Sequence, residues 1–374
     1  SSKLKSFIRT IPISIALASA LSSQAVANWN NDAGACGNGY DCTISRDVIF
    51  DSSRTAIQIT ATGSTGTLSI TQGAHVQRTV ADGYSDNGMF SIQGNAISLT
   101  NDGTITGIGR WRNIVVGAER NTGASINEII NNGTMVSINA NILLHGRVDS
   151  IVNSGTIILN SGTNKDWSSV FAIEDQAGAN LTFSGQSLTQ STRNFKNIIW
   201  TQSSRATSLG EIVAKDNSRL EGHFDFNNRF TGESIIFQDS ANMTGNISLE
   251  GNARITNGIT IGGNSTGGSG NNASLTGNIS LAGSSRISKI LIDGSNMGGS
   301  GANGTPKLDG DITLTTSQGI TNGITIANGG TLDGNINTRN FSRIGGIAIN
   351  NGSLIGNISL TNNARIQNGI VLDS

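Results

Sequence analysis

From residue 243 onward the chain repeats one arrangement of apolar and polar positions. Gly245-Asn246-Ile247-Ser248-Leu249 returns as Gly277-Asn278-Ile279-Ser280-Leu281 and as Gly310-Asp311-Ile312-Thr313-Leu314. It returns again as Gly334-Asn335-Ile336-Asn337-Thr338 and Gly356-Asn357-Ile358-Ser359-Leu360. Two positions before each Gly stands an apolar residue: Met243, Leu275, Leu308, Leu332 or Leu354. Ten positions after each Gly stands another: Ile255, Ile287, Ile320, Ile344 or Ile366. Alternation of the Ile-x-Leu type puts apolar groups on one face of an extended strand and Ser, Thr or Asn on the other. Each unit therefore predicts short strands separated by Gly/Asn turns. The Gly-to-Gly distances are 32, 33, 24 and 22 residues, so the minimal unit is about 22.

A unit of that size, with one apolar side per strand, cannot bury its own core and must stack on its neighbours. The predicted fold is all-β, a right-handed parallel β-helix (solenoid) of about 22 residues per coil. Like residues then lie above like residues at the sheet spacing of about 4.8 Å, and Ile247, Ile279, Ile312, Ile336 and Ile358 form an interior ladder. Gly and Asn supply the corners, and stacked Asn side chains can hydrogen-bond from coil to coil. In the long units the extra residues fall in one place, at 262–270 after Ile261 and 293–301 after Ile292. Insertions of that kind lengthen one loop and leave the coil register intact.

A fainter copy runs earlier. Asn101-Asp102-Gly103-Thr104-Ile105, Asn131-Asn132-Gly133-Thr134-Met135 and Asn153-Ser154-Gly155-Thr156-Ile157 repeat a turn followed by a strand. The coils are expected from about residue 45, roughly 13 to 14 of them in a rod of about 65 Å. Between residues 166 and 237 the pattern loosens and Trp167, Trp200 and seven Phe residues gather there, which fits either bulkier coils or an excursion.

Composition agrees. There are 49 Gly but only 2 Pro, and aromatics are 5%. Glycine without a three-residue period excludes collagen, and β-branched residues at regular spacing argue against disorder. The N-terminus changes the picture further. Lys3, Lys5 and Arg9 precede an apolar run from Ile11 to Leu21, and Ala25-Val26-Ala27 follows. This is the order of a secretory signal peptide, assigned to residues 1–27, with Ala25 and Ala27 as the small residues at the cleavage site. Without those three cations, 21 basic residues (24 less three) face 25 acidic ones, a balance that argues against nucleic acid as a partner. Cys36 and Cys42 are the only cysteines, and in an exported chain they are expected to form a disulfide loop. The organisation expected is a cap with this loop at 28–51, irregular coils at 52–240 and regular repeats at 241–374.

Candidate chemistry is sparse. A Gly-Asp-Ser-Gly setting is missing, and Gly-x-Ser-x-Gly does not occur in a strand-turn-helix context. His75, His145 and His223 are the only histidines, and none has an evident Ser partner. Glu221, His223 and Asp225 alternate as a metal site would require. Leu220, Gly222, Phe224 and Phe226 alternate with them, so the segment reads as one ordinary strand with its polar side in solvent. Gly267-Gly268-Ser269-Gly270-Asn271-Asn272 and Gly298-Gly299-Ser300-Gly301-Ala302-Asn303 resemble part of a calcium-binding repeat but lack its Asp, and read as flexible loops. The basic residues read as spread out, with no anion cradle. The expectation is a non-enzyme: no catalytic residues, no metal site, no cofactor.

The leader, the Asn-x-Gly-Thr-Ile turns and the Gly-Asn-Ile-Ser-Leu coils together resemble the passenger region of bacterial autotransporters, the type V secreted proteins of pertactin-like architecture. That resemblance covers nearly all of the chain after the leader. It implies export and display of an adhesive rod at the outer membrane or cell surface, or its release. It also implies an outer-membrane β-barrel translocator as partner, in the same chain beyond residue 374 or as a separate protein, and a host-surface protein or glycan as the bound target. Binding is expected on the exposed Ser/Thr/Asn faces and on the loops after Ile261 and Ile292. Two other readings stay open: the stalk of a secreted toxin or enzyme whose active part lies elsewhere, and a carbohydrate-active β-helix enzyme, which needs clustered carboxylates and aromatic sugar platforms.

Overall fold

The computed structural model describes residues 29–31, 36, 41–50, 57–60, 66–79, 88–108, 112–118, 123–160, 168–192, 196–263, 271–295, 304–317 and 319–373. The signal segment with Ala25 and Ala27 lies outside them, as do Trp167, Phe195 and most of the two Gly/Ser/Asn loops.

Every coil passes through three short strands, and each strand pairs in parallel with its equivalent in the next coil. Sheet 1 starts with Asp41–Ile44 beside Thr67–Ile70, with Cys42 level with Leu68. Sheet 2 starts with Val48–Phe50 beside His75–Arg78, and sheet 3 takes Ile57–Ile59 beside Gly88–Ile92. The same order continues to Ile370–Asp373, which pairs with Ile347–Asn350. Sheet 3 holds thirteen strands and sheet 2 twelve. One pairing differs: Trp29–Asn31 runs antiparallel to Ile57–Ile59 along the first edge of sheet 3. Among the described residues there is no helix. The chain is a parallel β-helix, with three sheets wrapped around one core.

Register explains the sequence pattern. Ile247, Ile279, Ile312 and Ile336 stack in sheet 3 and are fully buried. Met243, Leu275, Leu308 and Leu332 stack likewise in sheet 2. The anchors ten residues after each Gly begin sheet 1, where Ile255, Ile287, Ile320 and Ile344 are buried in one file. Register partners are 22 residues apart at Asn131 and Asn153 and again at Asn335 and Asn357. They are 33 apart at Asn278 and Asp311, where an insertion intervenes.

The corner between sheets 2 and 3 is closed by a file of glycines. Gly245, Gly277, Gly310, Gly334 and Gly356 have φ from +147° to +158°. A Cβ on any of them would lie between 2.0 and 2.3 Å from the carbonyl oxygen of the glycine one coil earlier. No other residue fits there, which is why Gly opens every copy of the repeat.

The loop after Ile292 leaves and returns at one hydrogen-bonded pair, Gly304 N–H to Gly294 C=O at 2.8 Å. The loop after Ile261 is pinned in a similar way, because both Gly263 N–H (2.7 Å) and Asn271 Nδ2 (3.2 Å) donate to the Asp293 carbonyl. These insertions occupy the corner from sheet 1 to sheet 2. In the earlier coils the long connections sit elsewhere, between His75–Arg78 and Gly88–Ile92 and between Thr156–Leu159 and Ser169–Ile173, from sheet 2 to sheet 3.

The described residues between 168 and 237 form bulkier coils, with pairing running through them from Ser169–Ile173 to Phe230–Phe237. The loosened pattern reflects phenylalanine replacing isoleucine in the core. Phe226 stacks on Phe230 with ring centres 4.3 Å apart, and Phe224 lies 6.5 Å from Phe237. On the outer side of sheet 3, Val115, Leu143, Ala172 and Trp200 form a second, smaller apolar file. Further along, that file becomes Asp225, Ser248, Ser280 and Thr313.

Candidate functional site: an arginine file on sheet 1

The residues with the most suggestive chemistry in the sequence turn out to be parts of the scaffold. Residues 220–226 are not one strand. The chain turns at Gly222 (φ +142°), so Arg219–Glu221 belongs to sheet 2 and His223–Phe226 to sheet 3. The two-residue period continues across a corner, and a corner is invisible to alternation alone. Glu221 accepts from Arg219 at 2.7 Å and from Gln190. Asp225 accepts from Asn197 at 3.5 Å. Among the described residues no three His, Cys, Asp or Glu side chains are grouped closely enough to hold a metal ion. His75 Nε2 lies 3.0 Å from Thr106 Oγ1, and buried His145 has Nδ1 3.7 Å from Glu174 Oε2, so the three histidines sit on separate coils. Cys36 and Cys42 form a disulfide, Cα atoms 4.9 Å apart, and both are buried against the first coil.

His223 heads a second ladder along the glycine corner. Its Nδ1 accepts the backbone N–H of Asn246 at 2.9 Å. Asn246 Oδ1 accepts from Asn278 N–H at 2.9 Å, Asn278 from Asp311 at 2.8 Å, Asp311 from Asn335 at 2.7 Å, and Asn335 from Asn357 at 3.0 Å. An acceptor Nδ1 requires the neutral ring, and burial pushes the His223 pKa below its usual 6.5. A base whose folded pKa is depressed gives stability that is present above the unfolded pKa near 6.5. That stability is lost as pH falls through the folded value. His223→Ala should cost about 1 kcal/mol. His223→Asn, which keeps an acceptor in the ladder, should be close to neutral and abolish the added acid sensitivity. Urea midpoints at pH 7.5 and pH 5 test this; equal pH dependence in both proteins would show that His223 plays no part.

The feature that sequence reading missed is an alignment of cations. The basic residues look scattered along the chain, but coil register collects them. Arg254 pairs level with Arg286, Arg286 with Gly319, Gly319 with Arg343, and Arg343 with Arg365. All four arginines are exposed on the outer face of sheet 1, each one residue before an inward Ile. The signal was available: the ninth residue after the repeat Gly is Arg in four of five copies. Linear distance concealed it, because the intervals vary with loop insertions.

None of the four arginines lies within ion-pair distance of a carboxylate among the described residues. Exposed Lys289 and Arg339 stand beside the file. From residue 251 to the end the acids are Asp293, Asp309, Asp311, Asp333 and Asp373, all on the other two corners or the ends of the strands leading to them. Four of them, Asp293, Asp309, Asp311 and Asp333, are already engaged. Lys307 reaches Asp333 at 2.8 Å and Asp309 at 3.4 Å, while Asp293 accepts from Ser295 (2.9 Å) and Asn328 (2.8 Å). The second half of the rod is therefore basic along one corner and acidic along the others. Like charges one rung apart repel by about 1 kcal/mol per pair in water, and cross-strand like-charge pairs are destabilising.

Polar and aromatic groups complete the surface. Arg254, Thr256, Arg286, Ser288, Thr321 and Asn322 line a shallow groove of about 300 Å³. Phe341, 63% exposed with φ +64°, projects two residues before Arg343. Compared with known proteins, the chain matches no family model, no curated protein and no solved structure.

Proposed function

We propose that this chain is the exported passenger of an autotransporter-type surface protein, a structural and adhesive rod delivered through an outer-membrane β-barrel translocator. The observation that carries this reading is the unbroken stack of parallel coils, apolar inside, which presents long files of polar and charged side chains outside. A rigid stack of that kind suits repeated weak contacts along its length. The leader pattern at residues 1–27 and the early disulfide agree with passage into an oxidising compartment. The chemistry described above favours a surface over a reaction centre.

Two measurements on cells that make the full protein test it. N-terminal sequencing of the mature protein should begin at Asn28. Protease added to intact cells should remove the rod while leaving a cytoplasmic marker whole. A rod cut only after lysis, with residues 1–27 retained, would overturn the proposal.

A further inference from the structure

We propose that the arginine file is a binding site for an acidic polysaccharide, a linear chain of carboxylated or sulfated sugars laid along the rod axis. The proposal deepens the adhesive reading, on which its biological setting rests, but the binding is a property of the folded chain and is testable apart from it.

The geometry selects an extended ligand. Arg254, Arg286, the Gly319 rung, Arg343 and Arg365 are five successive rungs, spanning about 19 Å at the sheet spacing. A compact anion would meet one pair of guanidinium groups; only a chain running with the axis meets all four. Guanidinium forks match carboxylate and sulfate oxygens with two parallel hydrogen bonds each and are weakly hydrated, so they suit this task better than lysine. One rung is about the advance of one pyranose ring, so neighbouring arginines can address neighbouring sugars.

The remaining surface fits sugars too. Thr256, Ser288, Thr321, Asn322 and Gln367 stand on the same side as the arginines and offer hydroxyl and amide groups to sugar hydroxyls. The exposed Phe341 ring offers an apolar face to sugar C–H groups. The neutral rung is imposed by the backbone: Gly319 has φ +101°, and a Cβ there would lie 2.0 Å from the Arg343 carbonyl oxygen. The site therefore reads as two charged pairs around an uncharged step, where Thr321 lies open.

Other occupants fit less well. A second copy of the rod would have to bring an acidic file, and in the repeats Asp293, Asp309, Asp311 and Asp333 already hold Lys307 or loop and ladder N–H groups. A nucleic-acid duplex winds its phosphates around the helix axis, one per about 3.4 Å of axis on each strand, so neither strand runs straight along four aligned arginines. Single strands call for a series of stacking aromatics, and Phe341 is the one exposed aromatic ring beside this file among the described residues.

The experiment is calorimetric titration of the full chain with heparin and with polygalacturonate as probes, over a range of salt concentrations. The variant R254Q/R286Q/R343Q/R365Q is compared with a charge-matched control, R46Q/R147Q/R219Q/K307Q. The file variant should bind at least about thirtyfold more weakly, the control within about twofold, and the salt dependence should flatten only in the former. Removing mutual repulsion should leave the variant's thermal midpoint unchanged or raised, which separates lost binding from lost folding. Equal loss in both variants, or none in either, would overturn the proposal. So would tighter binding of duplex DNA than of either glycan, or file-dependent self-association without glycan binding. Glycan binding by a rod never found outside the cell would keep the site and sink the adhesive reading.

Discussion

Gly277→Ala should destabilise the coils on either side by about 3 kcal/mol or more, a large effect for a single methyl group. The added Cβ would sit 2.1 Å from the Gly245 carbonyl oxygen, at φ +147°. Backbone lies on the far side of that contact, so no side chain can swing aside to make room. The natural comparison is Gly73, also at positive φ (+85°) but with open space around its Cβ position. Gly73→Ala should cost only the conformational part, about 1 kcal/mol. Because each coil touches only its neighbours, the damage should be local. Amide exchange should rise in residues 243–326 of Gly277→Ala while residues 88–160 stay protected. Loss of protection spread evenly along the chain, or similar costs at both glycines, would show that the corner file is not what holds the coils in register.

Asn131→Ala comes second, at about 2 kcal/mol. Asn131 stands in a buried file with Asn101 and Asn153. It accepts from Asn101 Nδ2 at 2.7 Å and donates to Asn153 Oδ1 at 2.8 Å and to the Thr156 carbonyl at 3.2 Å. Removing it leaves partners on two coils short of a hydrogen bond in a place water does not reach. One residue along, Asn132 does similar chemistry in solvent, donating to Asp102 at 2.8 Å and accepting from Ser154 at 2.6 Å. Asn132→Ala should cost less than about 0.5 kcal/mol. Chemical denaturation of the two variants tests burial against chemistry, since the side chain removed is the same. Equal costs would mean that the ladder bonds, and not the dry environment, set the energy.

These two cases show what the sequence made legible. The coil was readable because inward Ile and Leu positions recur at fixed offsets from a glycine that nothing else can replace. Stacked asparagines could be expected once coils were expected, and Asn101, Asn131 and Asn153 do pair in this way. Two things were hidden for physical reasons. A two-residue alternation continues unchanged around a Gly corner, so residues 220–226 looked like one strand when they belong to two sheets. Coil register, not distance along the chain, brings Arg254, Arg286, Arg343 and Arg365 together, so the cation file becomes visible only when loops of unequal length are folded out of the count. The same reasoning explains why His223 drew attention as a ligand. Its alternation with two acids was real, but its ring nitrogen is spent on the N–H of the next coil.

The in-register stacking of the short units has a consequence for growth by descent. Asp333 lies level with Ile355, so the residue that follows each of them is the same corner glycine, Gly334 or Gly356. Removing residues 334–355 joins two ends that already match, and copying them inserts a coil whose top and bottom fit what they meet. The reach of such a rod can therefore lengthen or shorten in whole steps of about 4.8 Å through slippage of the gene. Each step carries its own arginine, so length and the number of charges in the file change together.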